Sequence, residues 1–184
     1  TPVRCDLETI EASHLKGVDA VIHAAAFVEA WGPKNAWFKS NVLGTEGMLA
    51  AAKAAGVKRF VHIGTEAAIC YGQDVHDADE RYPLCPESPY PYCATKAQAE
   101  QAVRVANIPG VFETIVLRPR FIWGPGDTTL LPVIEAMAKS GGWMWVDHGK
   151  AMTSTTHIDN LVKAIELALK KGEGGEAYFI LDDG

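Results

Sequence analysis

Tyr92 and Lys96 stand four residues apart in Tyr92-Cys93-Ala94-Thr95-Lys96, inside a stretch of helical composition. On a helix, positions i and i+4 share a face, so a phenol and an ammonium can point into one pocket. An ammonium beside a phenol favours phenolate, drawing a pKa that starts near ~10 towards the range where the hydroxyl exchanges a proton with a substrate. The pair reads as an acid/base device; its plain alternative is an exposed pair on a helix surface. Two upstream residues suit the same chemistry. Thr65 follows Phe60-Val61-His62-Ile63-Gly64, at the carboxyl end of a predicted strand, with a hydroxyl able to donate to a carbonyl oxygen. Capping the next turn is its structural alternative. Asn41, in Asn41-Val42-Leu43-Gly44-Thr45, falls in a predicted helix, where asparagine carries a small propensity cost that a further use would explain.

The elements that must position these groups alternate. Residues 18–26, Lys58–Gly64, Glu113–Arg118 and Glu176–Leu181 are short, nearly continuous apolar runs that suit strands covered on both faces. Between them, helical patterns run over about 36–55, stopped by Gly56; 91–106, stopped by Asn107-Ile108-Pro109-Gly110; and 158–171, stopped by Gly172. Strand alternating with helix gives an α/β fold, and right-handed crossovers put the helices on the faces of a parallel sheet. Ligands of such sheets collect beyond the strands' carboxyl ends, where Ala24–Ala26, Thr65 and Pro119–Gly126 emerge. The loops 72–91, 123–128 and 140–157, rich in Gly, Pro and polar residues, are the expected walls of that site.

Composition narrows the partners. With 48% hydrophobic and 22% charged residues, the chain of 184 residues reads as one globular domain. A net charge of −6 without any Lys/Arg run argues against nucleic acid or an acidic membrane surface, and for a small-molecule substrate. Cys5, Cys70, Cys85 and Cys93 form no C-x-x-C pair and no dense framework, which fits a reduced cytoplasmic setting; with six histidines they show no metal-ligand spacing. No apolar run is long enough to span a bilayer. Association as a homodimer stays open. The chain starts at Thr1 without methionine and stops at Gly184 after a strand-like run, so it reads as a piece incomplete at both ends.

Other residues have two readings each. Asp6 in Cys5-Asp6-Leu7 is able to accept from a ligand's amino group or to cap its own segment. Ala24, Ala25 and Ala26 offer small side chains to a flat ligand, or fill core. Pro119 ends a strand for want of an N–H. Trp143 and Trp145 suit edge-strand packing or a lining for an apolar substrate. Asp159 in His157-Ile158-Asp159-Asn160 suits a helix N-terminus.

Together these residues resemble the extended short-chain dehydrogenase/reductase family, in its NAD-dependent epimerase/dehydratase and 3β-hydroxysteroid dehydrogenase-like branch. The likeness runs from Cys5-Asp6-Leu7 through the strand ending in His23-Ala24-Ala25-Ala26, Asn41-Val42-Leu43-Gly44-Thr45, Tyr92-x-x-x-Lys96 and Leu117-Arg118-Pro119 to Trp123-Gly124-Pro125-Gly126-Asp127 and His157-Ile158-Asp159-Asn160. It implies a Rossmann-type doubly wound parallel sheet over 1–184, NAD or NADP as cofactor, and part of the substrate-binding region within 120–184. It further implies that Tyr92 is the acid/base, that Lys96 binds the nicotinamide ribose and lowers the tyrosine pKa, that Thr65 orients substrate and that Asn41 supports a proton relay. Asp6 would meet the adenine, Ala24–Ala26 the dinucleotide backbone and Pro119 the nicotinamide surroundings. Anchoring on Tyr71-Gly72 in place of the strand moves the hydroxyl position from Thr65 to Ala67. The glycine-rich turn for a pyrophosphate is not in this chain. The implied reaction interconverts a secondary alcohol and a ketone on a sterol-like or other bulky apolar substrate. A nucleotide-sugar epimerase/dehydratase with bound NAD, and a non-catalytic dinucleotide-binding sensor or scaffold, are the alternatives.

Overall fold

A computed structural model describes residues 2–29 and 31–182. In chain order the elements are β1 (Ala20–His23), α1 (Lys34–Trp37), α2 (Gly44–Ala54), β2 (Arg59–Ile63), α3 (Pro91–Val105) and β3 (Glu113–Pro119). There follow β4 (Ile122–Trp123), α4 (Leu130–Lys139), β5 (Thr156–His157), α5 (Ile158–Lys171) and β6 (Ala177–Ile180). The main sheet has the order β1-β2-β3-β6 with every pair parallel, and β4 and β5 form a separate parallel pair.

Alternation along the strands explains why both faces are covered. Phe60 and Val116 join Val21, Leu49, Val103 and Phe112 in one buried cluster beneath α2 and α3. Their chain neighbours Val61, Ile115 and Leu117 point the other way, onto Leu161 and Ala168 of α5. Successive strand residues face opposite sides, so an apolar run is what a doubly covered sheet requires. Each fully buried side chain of this kind contributes roughly 1.5–3 kcal/mol. The doubly wound parallel sheet expected from the sequence is therefore the one found.

The helices begin and end for local reasons. Gly56, at φ +78°, turns the chain after α2 in a conformation that costs other residues steric strain. Pro91 occupies the first turn of α3, where a missing N–H costs nothing. Between α1 and α2 the residues Phe38–Leu43 wind as a π-helical segment, and Asn41 sits buried within it. At Gly64, just past β2, a Cβ would lie 2.9 Å from Val116 Cγ1 and 3.1 Å from the Leu117 carbonyl oxygen, so glycine lets two strands' ends close together.

Two features differ from expectation. α4 was not legible as a helix, and none of its residues is buried; the Asp127 carboxylate caps its start, accepting the amides of Thr129, Leu130 and Leu131, which holds its pKa down to about 2. Trp143 and Trp145 do not pack on an edge strand. They lie in the connection from α4 to β5, edge to face with ring centroids 5.6 Å apart, because Gly141, Asp147 and His148 take positive φ and break any extended run there. Among the described residues no helix is long and apolar enough to cross a membrane.

Candidate active site

The first turn of α3 presents Tyr92 at the carboxyl end of β2, and one turn later Lys96 is 3% exposed. Its Nζ donates to the Ile63 carbonyl oxygen at 2.8 Å. Burial lowers the Lys96 pKa to about 8, and the Glu100 carboxylate opposes that fall. Tyr92 goes the opposite way from the sequence-based expectation. Burial raises its pKa above the usual phenol value, hydrogen bonding with Thr65 opposes the rise, and the charges of Glu66 and Cys93 add to it. Desolvation of phenolate outweighs any help from a neighbouring ammonium that is itself buried and bonded to a carbonyl.

Thr65 is the N-cap of a short 3-10 turn, Glu66–Ile69, and its Oγ1 accepts from the Ala67 amide at 3.2 Å. Capping is thus one use of that hydroxyl. Of the two sequence anchors, the strand anchor Thr65 carries the capping hydroxyl, and Ala67 contributes the backbone amide that donates to it. Glu66 is a residue that sequence reasoning passed over. Thr65 Oγ1 donates to Glu66 Oε2 at 3.0 Å, and Arg120 Nη1 donates to Glu66 Oε1 at 2.6 Å. Arg120 also reaches Thr153 Oγ1 at 2.9 Å and stacks on the Phe121 ring at 4.7 Å. The only sequence signal for this group was a carboxylate directly after the strand-end threonine.

Asn41 is buried and fully engaged. Its Oδ1 accepts from the Phe27 amide at 2.7 Å, and its Nδ2 donates to the Phe27 carbonyl at 3.1 Å and to Thr95 Oγ1 at 3.2 Å. Thr95 in turn donates to the Pro91 carbonyl at 2.7 Å. The side chain therefore clamps the loop after β1 to the turn of α3 that carries Tyr92. Thr95, inside the Tyr-x-x-x-Lys spacing, is a second residue the sequence reading did not single out.

The remaining expected residues are spread along the same sheet edge. Ala24 and Ala25 are exposed and Ala26 is half-buried, directly after β1. Pro119 is buried at the end of β3. Asp6 is exposed, and its Oδ1 accepts from the Glu8 amide at 3.1 Å, the local capping use. These residues fit a dinucleotide in part. Lys96 Nζ has three N–H donors and one partner among the described residues, which leaves donors for sugar hydroxyls beside Tyr92. The uncovered alanines leave room for a flat ligand to approach backbone.

Below the site, Arg118 of β3 and Glu100 of α3 form an ion pair with both side chains fully buried; Arg118 Nε and Nη2 both donate to the carboxylate. Arg118 Nη1 also donates to the Glu80 carbonyl, and Glu80 Oε1 accepts from the Phe179 amide at 3.0 Å, so the long loop before α3 is tied to β6. At the far side, the Asp182 carboxylate accepts from Trp123 Nε1, Thr155 Oγ1, the His157 amide and Asn160 Nδ2, which holds its pKa far below the usual range. His157 caps α5 through its Nδ1, which accepts the Asp159 amide at 3.2 Å.

The chain was compared with known proteins. The model of the 3-beta hydroxysteroid dehydrogenase/isomerase family matches residues 2–183. Over 169 residues the chain is 46% identical to a 4-hydroxy-2-methyl-3-oxo-4-farnesyl-3,4-dihydroquinoline-1-oxide ketoreductase of Stigmatella aurantiaca, covering 91% of this chain and 50% of that protein. Over 172 residues it is 40% identical to a 2-alkyl-3-oxoalkanoate reductase of Stenotrophomonas maltophilia, covering 89% of this chain and 52% of that one. In three dimensions it is similar to a dTDP-glucose 4,6-dehydratase of Streptomyces venezuelae solved with NAD, with a TM-score of 0.80 at 28% identity, covering 96% of this chain and 56% of that one. The chain spans about half the length of the curated relatives it matches.

Proposed function

Because the chain belongs to the 3-beta hydroxysteroid dehydrogenase/isomerase family, we propose that its protein is an NAD(P)-dependent oxidoreductase interconverting a secondary alcohol and a ketone on a bulky, mainly apolar substrate. The observation that carries this reading is the placement of Tyr92 one helical turn before a buried Lys96, whose Nζ donates to the Ile63 carbonyl oxygen at the strand end that Thr65 follows. Both relatives described above are named as reductases of compounds whose printed names contain a 3-oxo group, and that favours a ketone as the group reduced.

The cofactor, when bound, supplies or takes the hydride. Tyr92 protonates the carbonyl oxygen during reduction, and takes the hydroxyl proton during oxidation. The raised phenol pKa suits the donor role, since the proton stays on the phenol until charge develops on the substrate oxygen. Lys96, with N–H donors beyond the Ile63 bond, would hold the nicotinamide ribose. Ala24–Ala26 would meet the dinucleotide backbone, Asp6 the adenine and Pro119 the nicotinamide surroundings. Asn41 fixes the loop after β1 and so sets the distance between that ligand edge and Tyr92. Residues 120–184 would carry part of the substrate-binding region.

The test is reduction, with NADH or NADPH, of a 3-oxo steroid, a 2-alkyl-3-oxoalkanoate and a 3-oxo-dihydroquinoline, followed by loss of reduced nicotinamide absorbance. Turnover of at least one ketone, abolished by Tyr92→Phe, is the expected result. No turnover of any ketone, with NAD retained through purification and a nucleotide sugar converted without added cofactor, would replace this reading by an epimerase/dehydratase. The likeness to the dTDP-glucose dehydratase favours that second reading at the level of the fold.

A further inference from the structure

Phe121 has a backbone conformation that its side chain disfavours. Its φ is +39°, in the left-handed region. Among the described residues other than glycine, Asp77, Asp147 and His148 share that sign, and Asp and His adopt it several times more readily than most types. A bulky aromatic there is a steric outlier, because its Cβ crowds the backbone carbonyl. The conformation is held from both sides. The Arg120 amide donates to Thr156 Oγ1 at 2.9 Å, and the Thr156 amide donates to the Phe121 carbonyl oxygen at 3.5 Å. Strain of this kind persists only where the surroundings impose it, and it gathers at sites that hold ligands.

Core packing does not account for the ring, since Phe121 is 48% exposed and joins neither buried cluster. Its place on the sheet edge does. Ile63 of β2 is level with Leu117 of β3, so Thr65 and Glu66 leave the sheet beside Pro119 and Arg120. Arg120 Nη1 donates to Glu66 Oε1 at 2.6 Å and its Nε to Thr153 Oγ1 at 2.9 Å. This pinned guanidinium lies over the Phe121 ring, 4.7 Å from its centroid. The aromatic surface therefore stands beyond the strands' carboxyl ends, where ligands of parallel sheets collect, next to the strand end that bears Thr65. With the Arg120 charge already shared with Glu66, what this corner offers a ligand is apolar area.

Resting on the ketoreductase reading, we propose that Phe121 is a specificity-determining residue, its ring forming the wall against which the bulky apolar group beside the substrate carbonyl packs. Glycine or asparagine would relax the turn, but either would leave that wall missing.

The experiment compares the full protein with Phe121→Asn and Phe121→Tyr. Two ketones are reduced: the better of the 3-oxo steroid and the 3-oxo-dihydroquinoline, and the small ester methyl 3-oxobutanoate. Phe121→Asn is expected to lower kcat/KM for the bulky ketone roughly 10-fold or more, mainly through KM, and for the small ester about 2-fold or less. The KM for the cofactor should stay unchanged. Phe121→Tyr restores the ring and should recover the preference for the bulky ketone. The melting temperature of Phe121→Asn should match or exceed that of wild type, because asparagine takes a positive φ at less cost. A ring kept only for packing gives the reverse, a lower melting temperature and equal losses on both ketones, and either result overturns the proposal. An unchanged preference in Phe121→Asn overturns it as well. Equilibrium dialysis of the bulky ketone, without turnover, separates this proposal from the functional reading. A wild-type protein that reduces no ketone, yet binds the bulky one roughly 10-fold more tightly than Phe121→Asn does, overturns the ketoreductase reading and supports the wall. Equal binding by the two proteins, or none by either, overturns the wall.

Discussion

The Lys96 ammonium donates to the Ile63 carbonyl oxygen at 2.8 Å, joining the middle of α3 to the carboxyl end of β2. The bond fixes Tyr92 one helical turn away, but it holds a cation in a site that disfavours charge. With a folded pKa of about 8 against an ordinary 10.5, the unfolded chain binds more protons between those values, so stability from this group rises with pH across that window. Below about pH 8 the full penalty is present, on the order of 3 kcal/mol. Lys96→Met is therefore expected to melt higher than wild type at pH 7 and to lose the stability gain between pH 8 and 10.5, while turnover is abolished. Thermal unfolding across pH 6–10.5 checks the sign; a variant less stable than wild type at pH 7 would contradict it.

Tyr92→Phe removes the phenol hydroxyl at the start of α3 and leaves the ring that fills its place. Turnover should drop by about 100-fold or more, with cofactor affinity nearly unchanged, because proton transfer is lost and the dinucleotide contacts are not. Steady-state kinetics beside cofactor titration by fluorescence separate the two effects.

Asn41→Ala would strand the Phe27 amide and carbonyl in a partly buried loop. A loss of about 1–3 kcal/mol is expected. Hydrogen exchange offers a local check: the Phe27 amide should exchange faster in the variant, while amides of β3 keep their protection.

Glu100→Ala leaves Arg118 charged and unpaired in a fully buried position. That should cost about 3–5 kcal/mol, whereas Glu100→Leu with Arg118→Met should recover most of it, since both charges are then gone. Denaturant unfolding of the two singles and the double closes the cycle.

Much of the scaffold was legible locally. The patterns over 91–106 and 158–171 match Pro91–Val105 and Ile158–Lys171 because period, Pro91 and the residues that stop them all act within a few positions. The four apolar runs match the four strands of the main sheet. α4 escaped notice because Pro132 in its first turn and the Gly124-Pro125-Gly126 segment before it read as loop, although proline is tolerated that early in a helix. The placement of β6 beside β3 is a pairing between distant segments, with no signal in either run.

By itself the sequence determined which groups could do chemistry: a phenol and an ammonium four residues apart, with a hydroxyl at a strand's end, because helical and strand periods are local properties of the chain. Only the tertiary structure decided what surrounds them. Glu66 meets Arg120 across 54 positions, Asn41 reaches Thr95 across another 54, and burial turns the Tyr92 pKa upward where the spacing alone pointed down. Desolvation and Coulomb forces depend on distance through space, and that distance is set by how the sheet and its two helical layers close.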